Sequence, residues 1–82
     1  MNTVVLYSRP DCHLCDEARD AIAGLLADGV SFRLREVDIE SDEELLARYL
    51  ERIPVVAVDG EQVSELVIDL DALRSRLDTV RT

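Results

Sequence analysis

Lysine is absent from the chain, and all nine of its basic residues are arginines. They are outnumbered by 18 Asp and Glu residues, so the formal net charge is -9 at pH 7. A protein that binds nucleic acid needs clustered positive charge, and we therefore expect no nucleic acid partner. The acidity has two open interpretations: it keeps a small protein in solution, or it steers the protein toward a neutral or basic partner.

The sequence also lacks long apolar runs and a basic leader. Its first seven residues include no basic n-region. The apolar run at 4–7 is too short for the hydrophobic part of a signal peptide or for a membrane span. We therefore expect a cytoplasmic protein that does not associate with a membrane.

Linkers, internal repeats and low-complexity segments are absent as well. A length of 82 residues allows one hydrophobic core and no second domain. Apolar residues make up 48% and charged residues 33%, close to the values of globular proteins, so a folded chain is expected. We predict a single domain over residues 1–82 and, in solution, a monomer.

The first half of the chain predicts a β-α-β unit. Residues 3–7 are β-branched and apolar and form a predicted buried strand. Apolar residues then recur at helical spacing from Cys12 to about Asp28, with Gly29 as the C-terminal stop. In the second strand the apolar phase switches near Glu36, which either a bulge or burial on both faces of the strand explains.

The second half predicts a short helix, a hairpin and a last helix. Ser41 and Glu44 have the spacing of a capping box. Residues 55–58 form a predicted strand that turns at the Asp-Gly pair 59–60 into an antiparallel fourth strand. Asp69 is placed to cap the last helix. The apolar face of that helix consists of Leu70, Leu73, Leu77 and Val80.

The element order β-α-β-α-β-β-α predicts an α/β fold. A right-handed parallel β-α-β unit and a closing hairpin are expected to share one four-stranded mixed sheet. Helices are expected on both faces of that sheet.

The two cysteines form a C-x-x-C motif at the start of the first helix. A small secreted protein normally carries several disulfides, whereas this spacing beside a β-α-β pattern is typical of a redox motif. Positions i and i+3 lie on one helix face, close enough for a disulfide that opens and closes. Cys12 is the predicted nucleophile, because a helix N-terminus lowers the pKa of a thiol below its free value of about 8.5. Cys15, one turn inside, is the predicted resolving thiol.

Charged neighbours act on the Cys12 thiol in opposite directions. Arg9 favours the thiolate. Three acidic residues oppose it: Asp11, Asp16 and Glu17. A moderate shift of the Cys12 pKa is therefore expected. His13 is interpreted either as an exposed residue that is neutral or tunes the redox chemistry, or as a proton-transfer group.

Other roles of the cysteine pair stay open. A tetrahedral zinc site needs four ligands, and beyond the cysteines the chain offers only His13, so no metal site within one chain is expected. Two chains together would supply four thiolates, enough for a shared metal or iron-sulfur cluster. The functions to compare are thus a thiol-disulfide oxidoreductase, a non-catalytic binding module or inter-chain cluster carrier, and a domain with structural thiols.

Three stretches of the sequence together resemble a known family: LYSRPDCHLC at 6–15, IPVV at 53–56 and the Asp-Gly pair at 59–60. The chain is similar to bacterial glutaredoxin-like proteins of the thioredoxin superfamily over residues 4–77. The resemblance implies a thioredoxin-like fold.

The resemblance also implies roles for single residues. Cys12 matches the nucleophile of the family, and Cys15 matches its resolving thiol. Pro54 matches a cis-proline that faces the cysteines, and the backbone of the preceding Ile53 pairs with the substrate chain. Arg9 matches a basic position that helps to hold a glutathione carboxylate, and it equally fits a solvated loop charge.

One later stretch departs from the glutaredoxin pattern. After the Asp-Gly pair, glutaredoxins carry two glycines and an acidic residue that hold the γ-glutamyl end of glutathione, whereas this chain has SELV at 64–67. Without the glycines the peptide cannot approach the backbone as closely, and Glu65 adds negative charge near a ligand with two carboxylates. We therefore expect weak glutathione binding.

The expected function is the reduction of disulfides in proteins or small molecules. The residues expected to bind the substrate are Arg9, His13, Ile53 and Pro54. Electrons are expected from glutathione or from a thioredoxin-reductase-like flavoprotein. No resident cofactor is expected, and glutathione enters at most as a co-substrate.

Overall fold

The computed structural model describes residues 2–78. Its elements are strand β1 (Thr3–Ser8), helix α1 (His13–Ala27), strand β2 (Arg33–Asp38), a 3₁₀ turn (Ile39–Ser41), helix α2 (Glu43–Tyr49), strands β3 (Val55–Val58) and β4 (Glu61–Glu65), and helix α3 (Leu70–Asp78). The predicted element order is confirmed, with the 3₁₀ turn as an addition. Among the described residues, no helix has the length and apolar character needed to cross a bilayer.

The four strands form one mixed sheet in the order β2-β1-β3-β4. β1 pairs in parallel with β2 and antiparallel with β3, and β4 pairs antiparallel with β3. β1 is therefore an inner strand, and its C-terminal end leads directly into the loop that carries the first cysteine. This confirms the predicted four-stranded mixed sheet.

β2 contains no bulge, and apolar side chains within it and directly after it pack on both faces of the sheet. Its pairing with β1 runs without a shift from Thr3↔Arg33 to Ser8↔Asp38. Leu34 packs against one core cluster, and Ile39, directly after the strand, belongs to another. Packing of Leu34 and Ile39 on opposite faces thus explains the switch of apolar phase, although no side chain within β2 is fully buried. The sheet does contain one irregularity, but it lies between β3 and β4, at the step from Val56 to Ala57.

The core lies on both faces of the sheet. Val4 and Leu6 of β1 belong to a large cluster with side chains of α1 and α3. Tyr7 instead packs against a smaller cluster together with side chains of α2, including Tyr49. Because neighbouring residues of a strand point to opposite faces, α1 and α3 cover one face and α2 covers the other. The predicted helices on both faces are confirmed.

The end of α1 follows the prediction. Gly29 has a φ of 91°, and its N–H donates to the carbonyl of Leu26 over 3.1 Å. The N–H of Val30 donates to the carbonyl of Leu25 over 3.1 Å. These two bonds form a Schellman motif, which satisfies carbonyl groups that the helix end leaves open.

The start of α2 differs from the prediction. Asp42, not Ser41, is the N-cap, and its Oδ1 accepts from the N–H of Glu44 over 2.8 Å. The Ser41 hydroxyl donates instead to the carbonyl of Asp38 over 2.6 Å, within the 3₁₀ turn. The predicted capping box was therefore wrong, because the Ser41 hydroxyl makes a local hydrogen bond within the turn instead of capping the helix.

The start of α3 is capped as predicted. Asp69 Oδ1 accepts from the N–H of Ala72 over 3.0 Å. Leu73 and Leu77 are buried, and Leu70 packs against the same cluster. Val80, the fourth residue of the predicted apolar face, lies outside the described residues.

The hairpin turn is tied to the beginning of β1. Asp59 and Gly60 have φ values of 50° and 90°, as a two-residue type I′ turn requires. The Asp59 carboxylate accepts from the N–H of Thr3 over 2.9 Å and from Asn2 Nδ2 over 2.6 Å. Both bonds hold the pKa of Asp59 below its usual value, and the bond from Thr3 has the larger effect.

Candidate active site

The two cysteines lie where β1 passes into α1. Cys12 is the N-cap of α1 in an extended conformation, with φ -102° and ψ 107°. It is joined to Cys15 by a disulfide, across a Cα–Cα distance of 5.2 Å. That distance falls within the range of unstrained disulfides, about 4.4–6.8 Å. The C-x-x-C spacing therefore places both sulfurs within bonding reach, as predicted.

The two sulfurs have different surroundings. Cys15 is fully buried, whereas Cys12 is half-buried. The N–H of Cys15 donates to Sγ of Cys12 over 3.1 Å. A helix N-terminus and an aimed N–H both stabilise negative charge on a sulfur in this position. Solvent therefore reaches the sulfur of Cys12 but not that of Cys15.

The Ile53–Pro54 peptide bond is cis and borders the same region. Ile53 shares a buried cluster with Cys15 and Ile39, and Pro54 is fully buried. The N–H of Ile53 donates to the carbonyl of Tyr49 over 3.0 Å. Within residues 2–78 no side chain or turn N–H donates to the Ile53 carbonyl, which leaves one backbone acceptor for a bound chain.

Two tyrosines that sequence reasoning did not assign to the site pack beside it. The rings of Tyr7 and Tyr49 stack with centroids 4.7 Å apart at an angle of 30°. Both pack against the cluster that contains Cys15, and the Arg48 guanidinium lies 5.9 Å from the centre of the Tyr49 ring. The sequence offers no local signal for this contact, since it joins β1 to the end of α2.

Arg9 and His13, two predicted substrate-binding residues, both lie near charged side chains of this chain. Arg9 Nη2 is 2.7 Å from Glu40 Oε2. His13 is 87% exposed, and its Nε2 lies 3.5 Å from Glu17 Oε1. A ligand carboxylate that binds Arg9 therefore has to share the guanidinium with Glu40. His13 stands in solvent at the start of α1.

A polar network fastens α1 to the edge of the sheet. Glu36 accepts from the Ser8 hydroxyl over 2.8 Å and from Arg19 Nε over 2.8 Å. Arg19 Nη2 donates to the same carboxylate, and its Nη1 donates to Asp16 Oδ1 over 2.7 Å. The bond from Arg19 is the main reason that the pKa of Glu36 is lowered. The break in apolar alternation at Glu36 is the sequence signal that could have revealed this network.

The stretch that replaces the expected glycines is a tight turn against the proline loop. The N–H of Val67 donates to the carbonyl of Glu65 over 2.7 Å, which closes a three-residue turn around Leu66. Leu66 has a φ of 66°, and its N–H lies 3.0 Å from the carbonyl of Pro54. The hydroxyl of Ser64 is buried without a hydrogen-bond partner. The turn is thus attached to the loop beside the cysteines.

Within residues 2–78, no group of three or more His, Cys, Asp or Glu side chains is arranged so that it could hold a metal ion.

Comparison with known proteins places this geometry in a family. The profile of the glutaredoxin-like domain (DUF836) matches residues 3–78. No curated protein matches the sequence.

Solved structures agree with the family match. A structural-genomics target protein from X. campestris is 36% identical, with a TM-score of 0.70, 93% of this chain and 96% of that chain being covered. A Nitrosomonas europaea protein solved by NMR is 26% identical, with a TM-score of 0.78 and coverage of 92% and 89%. A mutant thioredoxin from Halobacterium salinarum is 23% identical, with a TM-score of 0.67 and coverage of 95% and 73%, and this likeness shows the fold alone.

The family match and the paired cysteines of the C-x-x-C motif support a redox-type function. The chain belongs to the glutaredoxin-like domain family (DUF836) and has a thioredoxin-like fold.

Proposed function

We propose that the protein is a dithiol thiol-disulfide oxidoreductase that reduces disulfides of proteins or small molecules. The observation that carries the proposal is the unequal setting of the two sulfurs. Cys12 is half-buried and receives the N–H of Cys15, whereas Cys15 is fully buried. A substrate therefore reaches Cys12 first, and Cys15 stays behind to resolve the product.

The proposed reaction has two exchange steps. The Cys12 thiolate attacks one sulfur of the substrate disulfide, and the other substrate sulfur leaves as a thiolate that takes a proton from solvent. Cys15 then loses its proton and attacks Cys12 Sγ, which releases the second substrate thiol. Two electrons pass from the protein to the substrate, and the protein ends with the Cys12–Cys15 disulfide.

Substrate binding in this proposal uses the residues around the disulfide. The Ile53 carbonyl accepts a backbone N–H of an extended substrate, and the buried Pro54 forms the floor beneath it. His13 contacts the part of the substrate that projects over the start of α1. Arg9 holds a substrate carboxylate by sharing its guanidinium with Glu40, 2.7 Å away.

The proposal also covers the partners and location of the protein. Glutathione or a thioredoxin-reductase-like flavoprotein returns the electrons, and no resident cofactor takes part in a dithiol exchange. The protein acts as a monomer in the cytoplasm, where the glutathione and thioredoxin systems keep thiols reduced.

The test measures both the thiol chemistry and its catalytic use. Equilibration in glutathione redox buffers should convert the two thiols into one intramolecular disulfide, with a loss of about 2 Da in the mass spectrum. With dithiothreitol as reductant, the protein should accelerate the reduction of insulin disulfides. The Cys12→Ser/Cys15→Ser double variant is the matched control. An oxidised sample made mainly of intermolecular dimers, or no acceleration beyond the control, would refute the proposal.

A further inference from the structure

An acidic residue lies one helical turn from the candidate nucleophile. The N–H of Asp16 donates to the carbonyl of Cys12 over 3.1 Å, so the two residues are neighbours on the same face of α1. The side chain of Asp16 is 62% exposed. Side chains of a helix lean toward its N-terminus, which for Asp16 is the direction of Cys12. A carboxylate that takes this direction opposes negative charge on the Cys12 sulfur.

Arg19 binds this carboxylate from the opposite direction. Its Nη1 donates to Asp16 Oδ1 over 2.7 Å. Since Arg19 follows Asp16 by three residues, the bond draws the carboxylate toward the C-terminal end of α1. The guanidinium also compensates the negative charge of Asp16. The pair therefore acts on the carboxylate twice, through its position and through its charge.

A second carboxylate, on the sheet, keeps Arg19 in place. Glu36 of β2 accepts from Arg19 Nε over 2.8 Å and also from Nη2, so it holds the planar guanidinium by two bonds. The buried hydroxyl of Ser8 donates to the same carboxylate over 2.8 Å. The bond between Arg19 and Glu36 raises the pKa of Arg19 and lowers the pKa of Glu36, so both are charged at neutral pH. The position of Arg19 is thus set by the sheet as well as by its own helix.

We infer that Arg19 is a positioning residue that holds the Asp16 carboxylate away from the Cys12 sulfur and compensates its charge. The inference rests on the proposed function, in which Cys12 attacks the substrate. Without Arg19, the carboxylate swings toward Cys12 and disfavours the thiolate that the first exchange step requires. The chain already carries a net charge of -9, so a further uncompensated carboxylate beside the nucleophile slows that step.

Other charged or titratable groups lie on the elements packed around Cys12. They are Asp11 in the preceding loop, His13 and Glu17 on α1, Arg9 with its partner Glu40, Tyr7 with its partner Tyr49, and Arg52 before Ile53. The ion pairs and the ring contact among them do not include Asp16 or Arg19. Substitutions at Asp16 and Arg19 therefore leave this background the same in every protein compared.

The experiment measures how fast Cys12 reacts with iodoacetamide as a function of pH. Fully reduced wild type and Arg19→Met are treated at low ionic strength, and mass spectrometry of proteolytic fragments follows the modification of Cys12. One pH unit below the midpoint of the wild-type profile, Arg19→Met should react about threefold to tenfold more slowly. At alkaline pH, where the thiol is fully ionised, the two proteins should react at the same rate. In 1 M NaCl the difference should shrink, because the Debye length is then only about 3 Å.

A second substitution shows whether the carboxylate is the cause. Asp16→Asn/Arg19→Met removes both charges and should restore the wild-type profile. Asp16→Asn alone should change the rate less than about twofold, because Arg19 already compensates this carboxylate. The matched control is Arg74→Met. Its guanidinium lies 3.7 Å from Asp28, the C-cap residue of α1, and its removal should leave the profile unchanged.

Each outcome supports or overturns the inference. An Arg19→Met profile that superimposes on the wild-type profile overturns it. A slower reaction that Asp16→Asn does not restore overturns it as well, because the loss then comes from a disturbed helix. If Arg19→Met unfolds, which rapid modification of the buried Cys15 would reveal, Arg19→Gln takes its place in the same comparison. The proposed function fails separately, when the wild type does not accelerate insulin reduction, since alkylation of Cys12 does not depend on that activity.

Discussion

The N–H of Leu66 donates a hydrogen bond to the carbonyl oxygen of Pro54 over 3.0 Å. The same N–H lies 2.9 Å from the carbonyl of Arg52, so the turn after β4 is attached on both sides of Ile53. From the other direction, the Tyr49 carbonyl at the end of α2 accepts from Ile53. The proline loop, with Ile53 at its centre, is therefore fixed between α2 and the turn.

The first prediction concerns the two thiols. Cys12→Ser should abolish disulfide exchange, because the buried Cys15 cannot be reached by a substrate. Cys15→Ser should still attack and should accumulate a mixed disulfide that no second thiol resolves. Mass spectrometry after incubation with a disulfide-containing peptide detects the adduct. Equal trapping by both single variants would show that the roles are wrongly assigned.

The second prediction is an acid dependence of stability from Asp59. Its pKa is lowered in the folded state by hydrogen bonds from Thr3 and Asn2, so its contribution is present above the unfolded pKa of about 3.9. That contribution is lost as the pH falls through the folded pKa. Asp59→Asn keeps a residue that tolerates the positive φ of the turn and removes only the charge.

Urea unfolding at two pH values measures this effect. Asp59→Asn should be less stable than the wild type at pH 7, and the difference should shrink toward pH 3. The control is Asp20→Asn, at an exposed aspartate of α1. It should leave the free energy of unfolding unchanged at both pH values. A difference for Asp59→Asn that is the same at both pH values would contradict the assigned role of the charge.

The third prediction concerns the pair of Arg19 and Glu36. Both side chains are more than a third exposed, so solvent screens the pair and its coupling should be only about 0.5–1 kcal/mol. A double-mutant cycle with Arg19→Met and Glu36→Gln, followed by urea unfolding, isolates this energy. Because the pKa of Glu36 is lowered in the folded state, the coupling should be present at pH 7 and lost on acidification. A coupling energy of zero at pH 7 would show that the pair does not contribute to the stability of the fold.

Local chemistry explains why most of the fold could be predicted. Gly29 and the Asp-Gly pair 59–60 adopt positive φ values that few other residues tolerate, so they fix the end of α1 and the hairpin. Ser41 was misassigned because a hydroxyl has several backbone partners within reach, and the sequence does not decide among them. The irregularity between β3 and β4 was missed, since the residues of β4 are all exposed or half-buried and show no clear alternation.

In the candidate site, too, local features could be predicted from the sequence and contacts between distant residues could not. Cys12 and Cys15 are close in sequence, and helix geometry alone brings their sulfurs together. The contact of Tyr7 with Tyr49 and the bond from Leu66 to Pro54 join distant parts of the chain. Such contacts depend on how the elements pack, which local patterns do not encode.

The fourth prediction is that glutathione is a poor substrate. A glutaredoxin holds the tripeptide at both ends, whereas here Arg9 is already paired with Glu40. At the other end, the turn at 64–67 presents Glu65 in place of the expected glycines. The loss of one or two charge-assisted hydrogen bonds costs about 1.5–3 kcal/mol each, which lowers affinity tenfold or more.

Arg52 is the residue that works against this expectation, because none of the ion pairs among residues 2–78 includes it and it directly precedes Ile53. If its guanidinium binds a glutathione carboxylate, Arg52→Ala should weaken what binding there is. Glu65→Gly should strengthen it by removing negative charge and restoring a glycine, while Asp20→Asn at an exposed position of α1 should leave it unchanged. A steady-state assay with a glutathionylated peptide compares the three variants with the wild type. If the wild type saturates at low micromolar substrate with high turnover, the argument from the missing glycines is wrong, since one end of the tripeptide then suffices for tight binding.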